Sequence, residues 1–258
     1  MTKTELGLPL EYQQMPQYFD AHNISQDTAV KNSVLEAILA RHNVKSVLDL
    51  TCGTGSQVFY LSARGYQITG ADFSPALLEV ARKKAKAESI SVEFIDADMR
   101  SLNAGKFDAA ITMFNAVGHL SKADFEMTMR NICGNLEAGG IYVFDILNLA
   151  ALNDDAIKKL AMKSSKTVLG TAIHHTQYST LERDSGRLIS HDDYIIEEEK
   201  AEPKHFSHAF TLQIYTAKEL RDMLAKTGFE VVGQYAMDGS EFLEHETTNI
   251  LTVAKKSS

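Results

Sequence analysis

Three aspartates and two glycines in the first hundred residues carry the chemistry that can be read from this chain. Val47-Leu48-Asp49-Leu50-Thr51-Cys52-Gly53-Thr54-Gly55-Ser56 runs an apolar strand into a glycine turn. Gly53 and Gly55 let the backbone fold sharply and let a ligand reach the main chain with no Cβ in the way, while the helix that follows offers free N–H groups. Strand, turn and helix in that order form a ligand site in an open α/β sheet. Asp49 narrows the ligand. A carboxylate at the strand tip repels a pyrophosphate, and Val58 stands where the dinucleotide fingerprint needs its third glycine. A ligand bearing an ammonium or sulfonium group gains from the same charge; alternatively, Asp49 only satisfies backbone donors in the turn. Asp72 ends the next strand, where a carboxylate can accept two hydrogen bonds from a ribose diol. Asp98, followed by Met99, ends the third, where it can take an exocyclic adenine amine. For both, the competing role is a helix cap.

The elements that position these residues follow from apolar spacing. Ser25 caps a helix with Val30, Val34, Leu35 and Ile38 on one face, ending near His42. Strands are expected at Ser46 to Leu50, Gln67 to Ala71, Val92 to Ile95, Phe107 to Met113 and Ile141 to Ile146. Helices fall between them, one opening on Ser74-Pro75 and one closing on Gly139-Gly140. Five such alternations imply parallel strands with right-handed crossovers. Beyond Asn148 the rhythm changes. Thr167 to Thr180, Arg187 to Glu198 and His205 to Thr216 alternate and are rich in β-branched and aromatic residues, with Asp184-Ser185-Gly186 as a hairpin turn. A helix through Leu220, Met223 and Leu224 precedes two last strands, Phe229 to Tyr235 and Asn249 to Ala254. Met1 to Asn23, with Pro9, Pro16, Tyr12, Tyr18 and Phe19, is expected to be an irregular arm.

The bulk properties bound the partners. The 258 residues are 44% apolar and 23% charged, with a net charge of −8, which disfavours a broad basic face and hence a nucleic-acid substrate. Cys52 and Cys133 are too few for a disulfide framework. No apolar run approaches the roughly 20 residues that span a bilayer, so no membrane partner and a cytoplasmic location are expected. His174, His175, His191, His205 and His208 cluster in the alternating region, but adjacent histidines on a strand point to opposite faces, so no metal is expected. Glu197-Glu198-Glu199-Lys200 reads as a solvated hairpin end.

Taken in order, Val47 to Gly55, Gly70-Ala71-Asp72-Phe73-Ser74-Pro75, Asp96-Ala97-Asp98-Met99 and Phe107-Asp108-Ala109-Ala110-Ile111 resemble the class I S-adenosylmethionine-dependent methyltransferases. The match covers roughly Ser46 to Asn148, with Thr51 where the family usually has its first glycine. The resemblance implies an α/β, Rossmann-like, seven-stranded and mostly parallel sheet with helices on both faces, its last strand antiparallel, plus an antiparallel β insertion after strand five. It further implies one methyltransferase domain: an arm over 1–25, a cofactor-binding core over 46–148, an insertion over 149–216 that closes on the substrate, and a C-terminal helix and two strands over 217–258.

On this resemblance S-adenosylmethionine is the cofactor and S-adenosylhomocysteine the product. Asp49, Thr51, Gly53 and Gly55 hold the methionine part, Asp72 the ribose, Phe73 and Met99 the adenine faces and Asp98 its amine. Phe114-Asn115-Ala116-Val117-Gly118-His119-Leu120 is similar to a segment of small-molecule N-methyltransferases, including those that act on amino sugars. It implies Asn115 beside the cofactor and His119 facing the methyl, either orienting or deprotonating the acceptor; the alternative is a histidine that caps the next helix near Ser121. Tyr18 resembles the arm aromatic that covers the cofactor, although the family's tyrosine-aspartate pair reads Phe19-Asp20 here. The expected function is methylation of a small-molecule amine or amino sugar. O-methylation and a non-catalytic cofactor-binding module are the alternatives, with a nicotinamide-dependent reductase third.

Overall fold

A computed structural model describes residues 6–12, 14–168, 170–199 and 201–257. The elements in chain order are α1 (Phe19–Asn23), α2 (Gln26–Arg41), β1 (Ser46–Asp49), α3 (Ser56–Ser62), β2 (Gln67–Asp72), α4 (Pro75–Ala87), β3 (Glu93–Asp96), β4 (Phe107–Thr112), α5 (Lys122–Asn135) and β5 (Leu136–Leu147). They continue as α6 (Asp154–Lys159), β6 (Met162–Val168), β7 (Thr171–Glu182), β8 (Arg187–Glu197), β9 (Lys204–Gln213), α7 (Ala217–Lys226), β10 (Phe229–Tyr235) and β11 (Asn249–Lys256).

Strand order in the main sheet is β10-β11-β5-β4-β1-β2-β3. β1 to β5 pair in parallel, and β11 runs antiparallel to both β5 and β10. This is the Rossmann-like sheet that the family resemblance implies, with the parallel strands expected from the alternation. Its two-residue period sorts the core onto two faces. Leu48, Ala110, Tyr142 and Phe144 face Phe125 and Met129 of α5 and Leu220 and Leu224 of α7. Val47, Ala109, Ile111 and Val143 face Leu35 and Leu39 of α2, Val58 and Leu61 of α3 and Leu78 of α4. Strands buried on both faces have no polar side to show, hence their continuous apolar runs.

Helix starts are fixed locally. Ser74 Oγ accepts from Leu77 N–H with Pro75 in the first helical turn, Ser121 Oγ accepts from Asp124 N–H, and Thr216 and Glu219 form a capping box. Each cap satisfies donors that the first turn leaves open.

Strands β6 to β9 form a second, four-stranded antiparallel sheet in the order β6-β7-β8-β9. Two of its features differ from the sequence expectation. The stretch read as one strand from Thr167 is two, turning at Gly170 (φ +83°), because Met162–Val168 alternates largely in polar residues and gives no apolar signal. The short helix α6 also went unread. Residues of the arm pack on this second sheet: Leu10, Met15 and Tyr18 cluster with Ile173, Tyr194 and Ile196, and Thr211 N–H donates to Leu6 O at 2.7 Å. Adjacent His174 and His175 face opposite sides as expected, their side chains 42% and 2% exposed.

The β7–β8 turn depends on Gly186. Its φ is +66°, and a Cβ there would lie 2.8 Å from Ile214 O and 2.9 Å from Gln213 Nε2. Gly186→Ala is expected to lower stability by about 1–3 kcal/mol, read as a drop in the urea midpoint; an unchanged midpoint would show that the turn relaxes freely.

Candidate active site

The carboxyl ends of β1 and β2 are joined through side-chain carboxylates. Asp72 accepts Gly53 N–H on Oδ2 and Ser74 N–H on Oδ1, both at 2.8 Å, so the end of one strand holds the glycine turn of its neighbour and the start of α4. A carboxylate offers about four lone-pair positions. These bonds leave acceptor capacity for a diol. Burial pushes its carboxyl up to about 6 and the charge of Asp96 adds to the rise, with the backbone bonds from Ser74, Gly53 and Phe73 pulling the other way. Asp49 is 1% exposed; its Oδ1 accepts Thr51 N–H at 3.2 Å. Its Oδ2 and Thr51 Oγ1 are buried without a hydrogen-bond partner among the described residues. Burial raises Asp49 to about 8, and the neighbouring charge of Asp72 adds to the rise.

A cavity of about 820 Å³ opens over this end of the sheet, within the size range of small-molecule sites. Thr51, Gly53, Asp72, Phe73, Asp98 and Met99 line one end; His119 lines it too, with Tyr12 and Phe19 from the arm and His208 from β9. Gly53 has φ +51°, and a Cβ there would stand 3.4 Å from the Phe19 ring. Gly55 (φ +94°) opens α3, where a Cβ would meet Phe59 at 2.5 Å.

Asp98 is engaged. The Arg100 side chain forks onto both of its oxygens, at 3.0 Å from Nε to Oδ1 and 2.6 Å from Nη2 to Oδ2. Burial alone would raise its carboxyl, but the bonds from Arg100 outweigh it and hold Asp98 below its ordinary value.

Of the residues singled out in the sequence, Thr51, Gly53, Asp72, Phe73, Asp98, Met99 and His119 meet in the lining, while Asp49, Gly55, Asn115 and Tyr18 do not. Asp49 and Gly55 flank the turn that does. Tyr18 turns into the cluster on the second sheet, and Phe19 and Tyr12 take the cavity side. Asn115 stands behind the His119 segment, its Oδ1 accepting from Asn249 Nδ2 at 3.2 Å.

His119 ends a 3₁₀ turn, Ala116–His119. The helix that follows is capped by Ser121, so His119 has no capping duty there. It is 7% exposed, and burial lowers its imidazole to about 4, which leaves it neutral. Its Nε2 is 3.3 Å from Tyr12 Oη, and its ring packs against Phe210 at 5.8 Å.

Sequence reasoning missed Tyr12 and Asp145. Phe114 and Asn115 both have left-handed backbones, φ +64° and +58°, a conformation that costs side-chain-bearing residues on the order of 1–3 kcal/mol each. Buried Asp145, on β5, accepts Phe114 N–H at 2.6 Å and Asn115 N–H at 3.3 Å and so holds the turn that aims His119. A carboxylate inside an apolar strand was a visible signal; its partners were not.

The fold and the acid-lined cavity define a Rossmann-like site for a nucleoside ligand with positive charge. The donor set fits such a group: a partly used carboxylate at Asp72, orphaned oxygens at Asp49 and Thr51, and a turn open to close approach at Gly53. Comparison with known proteins agrees. Residues 47–140 match the methyltransferase domain family. Over 100 residues the chain is 38% identical to the demethylmenaquinone methyltransferase of Thermus thermophilus, covering 37% of this chain and 44% of that one. The matches span less than half the length of this and similar curated relatives. Across nearly the whole chain the fold is that of an S-adenosylmethionine-dependent methyltransferase from Clostridium acetobutylicum, with a TM-score of 0.78 and 16% identity over 93% of this chain and 96% of that one. A sugar N-methyltransferase from a Streptoalloteichus species gives 0.77 at 18% identity, over 94% and 92%. Among the described residues no group of three or more His, Cys, Asp or Glu side chains is placed to hold a metal ion, and no helix is long and apolar enough to cross a membrane.

Asp145→Ala leaves the N–H groups of half-buried Phe114 and Asn115 without their acceptor in a strained turn. It is expected to cost about 2–4 kcal/mol in urea unfolding; a loss below about 0.5 kcal/mol would show that the turn holds itself.

Proposed function

We propose that this chain transfers a methyl group from S-adenosylmethionine to the nitrogen of a small-molecule amine, with amino sugars as the leading acceptor class. The observation that carries the choice is the buried, neutral His119 in a cavity that Asp72 and Asp98 also line. When bound, the cofactor supplies a methyl group on a cationic sulfur. Thr51 and Gly53 on the cavity wall, with the Asp49 carboxyl behind them, would hold its amino-acid part, Asp72 its ribose, and Phe73, Met99 and Asp98 its base. The arm, through Phe19, excludes water above the glycine turn, and a dry aligned pocket suits a displacement in which charge disperses.

The protonation state of His119 separates the acceptor classes. Moving a proton from an alkylammonium, pKa near 10, to an imidazole near 4 costs about 8 kcal/mol. General-base help returns only some 10²–10⁴-fold, about 3–5 kcal/mol. His119 therefore orients, and the acceptor enters as a free amine with its lone pair available. An alkyl hydroxyl must lose its proton as it attacks, and His119 is too weak a base to take it, which favours nitrogen over oxygen. The sugar N-methyltransferase among the fold relatives supports the class of acceptor.

Mass spectrometry of a panel of amino sugars, alkylamines and small alcohols incubated with the chain and S-adenosylmethionine should show one or two methyl groups gained on amines. Asp72→Ala should lose cofactor binding by calorimetry. Gain on alcohols alone would sink the nitrogen reading, and unchanged binding in Asp72→Ala the ribose assignment.

Protons should move as well. With its carboxyl near 8, Asp49 is largely protonated at pH 7 in the free chain, and a cationic ligand favours the ionised form. Cofactor binding should therefore release up to one proton at pH 7, seen as a buffer-dependent calorimetric enthalpy, and affinity should rise from pH 6 to pH 8 before levelling. Identical enthalpies in phosphate and Tris would rule out this coupling.

A further inference from the structure

The proton needs and accessibility of His119 assign it a different place from the one its sequence segment implies. Its Nδ1 is buried, with neither a hydrogen-bond partner among the described residues nor contact with the cavity space. Only Nε2 is addressed from the cavity side, and there Tyr12 Oη stands 3.3 Å away. A neutral imidazole has one N–H and one lone pair. A buried orphan acceptor is tolerated more readily than a buried orphan donor, so the lone pair belongs on the sealed Nδ1 and the proton on Nε2. Nε2–H then donates to Tyr12 Oη.

We infer that Tyr12 is the residue whose hydroxyl meets the methyl acceptor, and that His119 is a positioning residue that holds this hydroxyl from behind. The inference rests on the reading of the cavity as a methyl-transfer site.

The surroundings of Tyr12 support the assignment. Its ring lies edge-on between Phe19, at 5.6 Å between centroids, and His119, at 5.3 Å. Phe19 in turn covers Gly53, so Tyr12 spans from the glycine turn to His119. Its backbone is fixed at both ends: Tyr12 N–H donates to Pro9 O at 3.2 Å, and Ser74 Oγ donates to Tyr12 O. Burial, with the charges of Asp72 and Glu11 adding to it, holds the phenol above its ordinary value. It stays protonated, with one O–H and one lone pair to spare after the bond from Nε2–H. The lone pair can accept an acceptor N–H while the nitrogen's own pair points at the methyl. No proton needs to leave through Tyr12 or His119: the amine attacks carbon, the C–S bond breaks onto sulfur, and the product ammonium carries its proton out to solvent.

Two measurements test this, one independent of turnover. In the free chain labelled with ¹⁵N-histidine, the His119 signal, identified by its loss in His119→Gln and in His119→Ala, should report a neutral Nε2–H tautomer from pH 6 to pH 8. In Tyr12→Phe its Nε2 proton should exchange faster with solvent. An Nδ1–H tautomer in the wild type, or an unaltered Nε2–H signal in Tyr12→Phe, overturns the pairing.

Turnover is then read on amino sugars and primary alkylamines with S-adenosylmethionine as donor. Tyr12→Phe and His119→Ala should each lower kcat about 10–100-fold with cofactor affinity changed less than threefold. The double variant should fall no more than about threefold below the weaker single one, because both remove the same hydroxyl placement. His119→Gln, which keeps an N–H near the Nε2 place, should recover at least tenfold over His119→Ala. Full turnover in Tyr12→Phe, or losses that multiply in the double variant, would mean that His119 meets the acceptor itself. If the wild type methylates none of these amines, the functional reading fails, while the histidine spectra still decide the pairing.

Discussion

The bond from Gly53 N–H to Asp72 Oδ2 is the interaction on which the site depends. It crosses from one parallel strand to the next at their carboxyl ends, where the sheet supplies no further ladder partner. Without it the glycine turn has one free donor and α4 one free start, since the same carboxylate also receives Ser74 N–H. The arrangement places a second carboxylate, Asp49, in the same buried layer. The charge of Asp72 adds to the rise that burial gives Asp49, and the charge of Asp96 adds to that of Asp72. Such a buried acidic layer disfavours an anionic group such as a pyrophosphate and gains from a cationic one, which favours the ionised form of Asp49.

A second strained device stands across the sheet. Phe114 and Asn115 take left-handed backbones that neither side chain favours, and Asp145 pins both amides. Burial raises Asp145 to about 6 against the pull of Lys31. The cofactor end and the His119 end are thus built alike, each from a buried strand carboxylate that holds the loop of a neighbouring strand.

What was legible in the sequence follows from how local each cause is. Ser74-Pro75 announces α4 because capping is decided within four residues, and Val47-Leu48 announces β1 because a two-faced burial leaves an unbroken apolar run. The order of Asp49, Gly53, Asp72 and Asp98 was readable for the same reason: each sits at a strand end that periodicity locates. Tyr12 and Tyr18 are a different matter. Both are arm tyrosines in a stretch without periodicity, and which of them meets the cavity is decided by the packing of Leu10, Met15 and Tyr18 on Ile173, Tyr194 and Ile196, more than 150 residues away along the chain. β6 was unread because its side chains are mostly exposed and polar. Asp145 was unread because a carboxylate in an apolar strand declares that it has partners without saying which.

The arm is bound unequally to its two neighbours. On the second sheet it buries Leu10, Met15 and Tyr18, at about 1.5–3 kcal/mol for each such side chain, and Glu11 accepts a bond from Tyr194 Oη at 2.7 Å. On the cofactor side it contributes the Phe19 ring, the bond from Ser74 to Tyr12 O, and Asp20 against Thr54 and Lys84. The Asp20–Lys84 pair is about a third exposed and is worth little after solvent screening, and a neutral hydrogen bond returns about 0.5–1.5 kcal/mol net. Apolar anchorage to the β sheet therefore outweighs polar attachment to the core. Tyr12 and Phe19 are carried by the element whose hold on the glycine turn is the weaker, and for that reason they can cover a buried ligand site without being part of the rigid sheet that forms it.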